Sequence, residues 1–517
     1  MRSVRKRIIV VLAALAVVAV GGWQLLPSDH QDGRAITVGT TDTITSLDPA
    51  GAYDAGSWAL FSNVFQSLLT FEPDGVEPVP DAARRCGFQG SELTTYRCEL
   101  RTGPAFPSGR KMTAADVKFS FDRLRAINAK VGPAPLFSGL DRVDADGGTV
   151  TFHLKHPDAT FPFKLATGAG SIVDRTIYPA GKLRTGRTVD GTGVYRLDSY
   201  RPGTSATLKP NSGYRGAAER AGHAAVLRYY GDSAALDAAW KGKRVDVATR
   251  TLSPGLLAGA DAADKNARVT TSDSAETRNL YLNVRSGSPF HDRRVREALA
   301  RLIDRDRLGG TVYRGTVEPL YSLVPRGLIG HTTAFFDAYQ RPDRKKAEAL
   351  LRDAGVKTPV RFSFGYGKGV APQAEATELA RQLNASGLFR MEPKGYEWTD
   401  FQHRYAAGKL DAYAVGWVAD FPDPDTFTDQ LVGSGAAMKN GYSSHQVDTL
   451  ITDTQRYADR SRITAQLRTL QRTVAHDVPL IPLWQRKDYV LSTEDVTGGQ
   501  YLSDGTGVFR LWRLHRL

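Results

Sequence analysis

At 517 residues the chain exceeds the roughly 250–300 at which a single hydrophobic core stops growing, so two or more lobes are expected. Hydrophobic content of 41%, with 24% charged residues and 50 Gly and 26 Pro spread along the chain, excludes fibrous, low-complexity and disordered classes. The formal net charge is +13, but the cations are interleaved with acids, as in RRVREALARLIDRDR, and no nucleic-acid partner is expected.

The amino terminus, MRSVRKRIIVVLAALAVVAVGGWQLLPSDH, sets four cations before an unbroken apolar run, Ile8 to Val20, and then turns polar, which is the order of an export signal. Counting on to Leu26 gives 19 residues, enough to stay in a bilayer, so residues 1–30 read as a signal peptide or an N-terminal membrane anchor. The protein is accordingly expected outside the cytoplasm, at the outer face of the cell membrane. No cysteine follows the run to accept a lipid. Without residues 1–30 the chain keeps 64 cations against 54 acids, a surplus that suits an anionic envelope surface or a solvated face.

RAITVGTT (34–41) opens as a strand, and WALFSNVFQSLLTF (58–71) has the apolar density of a buried helix. The only cysteines, Cys86 and Cys98, flank a Gly-containing bend and a strand-like segment. In an exported chain they predict a disulfide worth roughly 3 kcal/mol. The rival, a reactive or metal-binding thiol pair, lacks CxxC spacing and nearby histidines. Thr113 and Asp116 form a capping-box-like start to a helix whose buried stripe is Val117, Phe121 and Leu124. Further on, Leu280, Leu282 and Val284 alternate as a strand, and Val295, Leu299, Leu302 and Ile303 make one helical face before Gly309. Ile463, Leu467, Leu470 and Val474 mark another helix, followed by the extended VPLIPLW (478–484). Strands alternating with helices argue for an α/β fold.

Five stretches together resemble the bacterial extracytoplasmic solute-binding proteins of family 5, the peptide and dipeptide binders of ABC importers: residues 46–83, 100–124, 190–216, 282–305 and GWVADFPDPDTF (416–427). The resemblance spans 36–517. It implies a two-lobed periplasmic-binding-protein-like fold, class II of the large peptide-binder type, with an extra inserted subdomain. The first lobe would be built from 36–53, 190–271 and 480–517, the inserted subdomain from 54–189, and the second lobe from 272–479. It further implies capture of oligopeptides or dipeptides between closing lobes, delivery to the permease subunits of an ABC transporter in the membrane, a monomer, and no cofactor.

In such relatives the acid of the Gly-Trp-x-x-Asp motif receives the peptide's amino group, which assigns that role to Asp420. Trp417 would wall a side-chain pocket, and the backbone of Gly416, Trp417, Val418 and Ala419 would pair with the ligand as with an added strand. Tyr53, Gly56 and Ser57 fall where the first lobe's loop approaches the ligand. Physically, a fixed carboxylate suits an ammonium: at about 4 Å and an effective dielectric near 20 the pair interacts by roughly 4 kcal/mol before desolvation. The bland reading of Asp420 is a structural carboxylate, and that of Tyr53, Gly56 and Ser57 is an ordinary turn and helix start. Asp423 and Asp425, alternating with Pro422 and Pro424, read as a solvated turn or helix cap. A calcium loop from Asp420, Asp423, Asp425 and Asp429 lacks the glycine an EF-hand needs, so no metal is expected. No arginine precedes the motif where some tripeptide binders have one; DAYAVGW offers Tyr413 and Ala414, and Arg404 and Lys409 are only nearby cations.

Two rivals stand beside this reading. A secreted hydrolase would need G-x-S-x-G, H-E-x-x-H or a catalytic constellation; none occurs, and His153 and His156 read as strand and turn, so no enzyme is expected. The same two lobes could instead carry a nickel chelate, an oligosaccharide or another metabolite.

Overall fold

The computed structural model describes residues 34–73, 75–257, 267–503 and 506–517. The expected export segment, residues 1–30, lies outside them.

Two long strands organise the molecule. Ala267–Leu282, of 16 residues, and Leu480–Thr493, of 14, run antiparallel to each other along most of their length. On one side, Leu480–Thr493 pairs with Val247–Thr249, and the sheet continues through Ile36–Thr40, Ala225–Tyr229, Ser205–Pro210 and Tyr195–Arg201. On the other side, Ala267–Leu282 pairs with Ala412–Val418, and the sheet continues through Val360–Gly367 to Phe389–Tyr396. Val317–Pro319 pairs off this path with Leu480–Thr493. The register between the long strands slips twice, between Asp273 and Thr277 and again at Arg278 and Asn279, where Pro482 stands opposite. A proline has no ladder N–H to give, so it belongs at such a bulge.

Two large apolar cores lie on either side of this seam. One draws on residues between Ile36 and Tyr229 together with Val490 to Leu514; the other draws on residues between Ala275 and Trp484. The fold is a two-lobed α/β structure. Within residues 54–189 a separate antiparallel sheet of four strands, ordered Ala83–Phe88, Thr95–Leu100, Thr149–Leu154 and Leu140–Asp146, packs against the helix Ala114–Ile127. Cys86 stands opposite Cys98 in its register, and the two are bridged as expected.

Local signals held where they were strong. Thr113 and Asp116 close a capping box, and Val117, Phe121 and Leu124 are buried. Ile463, Leu467, Leu470 and Val474 are fully buried at the start and along one face of Thr464–Asp477. Two expectations change. The helix expected over 58–71 is Ala55–Val64, because beyond it the carbonyls of Val64 and Gln66 accept from Gly193 and Ile172 and draw the chain out straight into Leu69–Phe71. The helical face expected to reach Gly309 is split into Arg293–Ala300 and Arg305–Thr311, since Asp304 caps a fresh helix with its side chain on the Arg307 N–H.

Candidate ligand-binding site

The strand Ala412–Val418 ends at the seam between the lobes. Its pairing with Ala267–Leu282 is continuous from Glu276 opposite Val418 to Leu282 opposite Ala412, and Ala419 adds an N–H bond to the Ala275 carbonyl at 3.0 Å. Its other edge meets Val360–Gly367 only at Ala412 and Tyr413. Antiparallel ladders alternate, so Trp417 and Ala419 bond inward and the N–H and C=O of Gly416 and Val418 turn to the outer edge. That edge has no sheet partner among the described residues. A Cβ at Gly416 would meet nothing nearer than 3.4 Å, so protein packing does not demand a glycine there. The half-buried Trp417 lies against the second core, and its indole N–H is buried without an acceptor among the described residues.

Asp420 follows directly. Its backbone N–H donates to Thr426 Oγ1 at 3.1 Å, and that hydroxyl lies 3.4 Å from Oδ2. The other lobe reaches the same oxygen: the Tyr53 hydroxyl donates to Oδ2 at 2.8 Å. Tyr53 is held by its ring against Trp58, 5.4 Å between centroids. Gly56 and Ser57 set that loop. A Cβ at Gly56 would come within 2.4 Å of the Thr43 carbonyl, while Ser57 accepts the Thr45 N–H at 3.0 Å and gives its own N–H to Asp54. Neither residue lines the two cavities that flank Asp420.

The larger cavity, about 490 Å³, opens between the lobes. One wall is Leu136, His156, Asp158 and Lys164; the other is Asp420, Asp425, Thr426, Asp429 and Asp448. The smaller, about 40 Å³, sets aromatic rings, among them Trp58, Phe61, Phe71 and Trp512, beside Asp420 together with hydroxyl side chains such as Ser62, Thr70 and Thr167. The lobes also touch nearby, where the Ala159 N–H donates to the Gln455 carbonyl at 2.8 Å and the Phe163 and Phe421 rings lie 6.0 Å apart. Asp420 is half-buried and lines both cavities. Burial therefore lifts its carboxyl to about 7, against the opposing pull of the Tyr53 and Thr426 hydroxyls and of Lys164. Burial, with the Asp420 charge beside it, raises the Tyr53 hydroxyl well above its ordinary value.

The acids after Asp420 are not on a solvated turn. Asp423 is 2% exposed and receives a two-pronged ion pair from Arg460, at 2.7 and 2.9 Å, while its Oδ1 also caps the Asp425 N–H at the start of Asp425–Val432. The helix-capping half of the expectation stands; the solvated half gives way because Arg460 supplies a buried counter-charge. Asp158, Lys164, Asp448 and Gln455 joined this site without any signal in the sequence, since they come from two stretches distant from the motif: Asp158 and Lys164 face it from the opposite lobe, and Asp448 and Gln455 from the helix His445–Thr454 and its end.

The model of the bacterial extracellular solute-binding proteins, family 5 Middle, matches residues 77–439. The chain is 25% identical over 478 residues to the probable D,D-dipeptide-binding periplasmic protein DdpA of Escherichia coli K12, covering 90% of each. It is 26% identical over 511 residues to di/tripeptide-binding protein 2 of Pseudomonas aeruginosa UCBPP-PA14, covering 90% of this chain and 92% of that one. Among solved structures, the periplasmic binding protein DppA of Helicobacter pylori in complex with the peptide STSA matches with a TM-score of 0.82 at 22% identity, over 94% of this chain and 98% of that one. The matched span runs through both lobes and includes the strand and acid of the cleft, and the chain belongs to the bacterial extracellular solute-binding proteins of family 5.

Proposed function

We propose that this protein captures short peptides outside the cytoplasm and hands them to the permease of an ABC importer, acting as a monomer. The first lobe is 36–53, 190–271 and 480–517 with 54–189 inserted; the second is 272–479. The lobes close on a peptide whose ammonium meets Asp420 and whose backbone pairs with the outer edge of Gly416 and Val418, with Trp417 and Tyr53 beside it. The observation that carries this reading is the Asp420 carboxyl at the lobe seam, next to an unpaired strand edge and reached from the opposite lobe by Tyr53. Relatives named for dipeptides and tripeptides support the same cargo. Among the described residues no helix is long and apolar enough to cross a membrane, so attachment at the membrane face would rest on residues 1–30.

The test is calorimetric titration with dipeptides and tripeptides, free or N-acetylated. Acetylation is expected to weaken binding at least about tenfold, the scale of one partly buried charge pair. Equal binding of free and acetylated peptides would remove Asp420 from the ligand's amino end.

A further inference from the structure

We propose that the cavity beside Asp420 selects ligands carrying a second cation, an ammonium or guanidinium a few ångströms from the first, as on a peptide whose first residue is basic. This rests on the reading of Asp420 as the partner of the ligand's amino group.

The charge accounting inside the cavity is incomplete. Its volume, about 490 Å³, is within the range of small-molecule sites. The only Lys or Arg on its walls, Lys164, is already taken by Asp158 at 2.7 Å. Asp425 is 5% exposed and lines the cavity, yet no cation pairs with it among the described residues. Its carboxylate meets only the Gln455 amide, at 3.4 and 3.5 Å, beyond the usual hydrogen-bond range. Asp423, two residues away and equally buried, shows how this fold completes a carboxylate that serves structure: Arg460 grips both oxygens. Asp425 has no such partner.

Its neighbours do not supply one. Asp429 accepts the Gln430 amide at 2.9 Å, and Asp448 accepts the Ser434 N–H at 2.9 Å. His156, on the opposite wall, contacts the Pro157 carbonyl through Nδ1 at 3.4 Å. A buried carboxylate that no cation grips directly is costly to ionise, which favours its protonated form. Burial raises Asp425, with Asp429 and Asp423 adding like charge against the pull of Lys164; burial likewise raises Asp429. An arriving cation would replace those protons, so a doubly cationic ligand should release more of them than a singly cationic one.

The experiment titrates the full chain with Lys-Ala, norleucyl-Ala, Ala-Lys and cadaverine, at pH 7 in two buffers of different ionisation enthalpy. Lys-Ala is expected to bind at least about tenfold tighter than norleucyl-Ala, and to release more protons per ligand, with Ala-Lys gaining no such advantage. Asp425→Asn should reduce the Lys-Ala to norleucyl-Ala ratio to within about twofold; should that variant not fold, Asp429→Asn reads the same ratio. Equal affinity for Lys-Ala and norleucyl-Ala overturns the inference and leaves the peptide reading intact. Cadaverine binding without any peptide binding supports the cation-selecting cavity and overturns the peptide reading. Binding of none of the four overturns both.

Discussion

The Tyr53 hydroxyl and the Asp420 carboxylate, 367 positions apart, meet at 2.8 Å and tie one lobe to the other. A hydrogen bond to an ionisable acid in a buried seam is worth about 1.5–3 kcal/mol. Tyr53→Phe is expected to favour the open arrangement of the ligand-free protein, read as a larger radius of gyration in small-angle scattering. An unchanged radius would mean that the bond follows closure without holding it.

Asp420 also fixes a pH dependence. Its carboxyl is lifted to about 7 in the folded protein, so the folded state keeps a proton that the unfolded chain gives up between about pH 4 and 7. More protons bound in the native state means that stability falls as pH rises through that window, then levels off. Asp420→Asn removes this slope, so the variant should gain in relative denaturation midpoint from pH 5 to pH 8. An ammonium ligand requires the ionised acid, so affinity for it should rise with pH up to about 7. An affinity that is flat from pH 5.5 to 8 would detach the ligand's charge from this carboxyl.

The Asp423 and Arg460 pair, both side chains 2% exposed, is a different kind of acid site. Removing one partner strands the other inside the protein at a cost of about 3–5 kcal/mol. Asp423→Asn should therefore lower the urea midpoint sharply, and the double replacement Asp423→Leu with Arg460→Met should recover most of the loss. A single-variant loss below about 1 kcal/mol, the scale of an exposed pair, would contradict this account.

The Cys86–Cys98 bridge closes a loop with a sequence separation of 12 on the small sheet, and neither cysteine lines the cavities at Asp420. Replacing both cysteines by serine is expected to cost about 3 kcal/mol while changing peptide affinity less than about twofold. Thermal melts and titrations of the same preparation separate the two effects.

Elements fixed by neighbours in the chain were legible in the sequence. The Thr113 cap depends on contacts a few residues away, and the strand at Ile36 and the stripe of Leu467, Leu470 and Val474 each announce themselves by a local apolar periodicity. Elements shaped by distant partners were not. Leu280 and Leu282 alternate as if one face were covered, yet Tyr281 is equally buried, because the strand runs through the middle of the sheet. The turn after Asp420 looked solvated because its counter-ion, Arg460, sits 37 positions further on. At the site, the motif named Asp420 and the family pattern named Tyr53, but their contact, and the wall of Asp158 and Lys164, exist only once the lobes come together.

The two long strands join the halves of the molecule through one hydrogen-bonded ladder. Flexible linkers would let the halves swing through many orientations; a twisted pair of hydrogen-bonded ribbons resists both sliding and shear, and yields most easily where its register already slips, at Asp273 to Thr277. That weak point lies immediately before Thr277, the residue opposite Trp417. The proposed closure would then bend about this one crease and bring Tyr53 back to the same oxygen of Asp420, so that the ladder itself aligns the two halves.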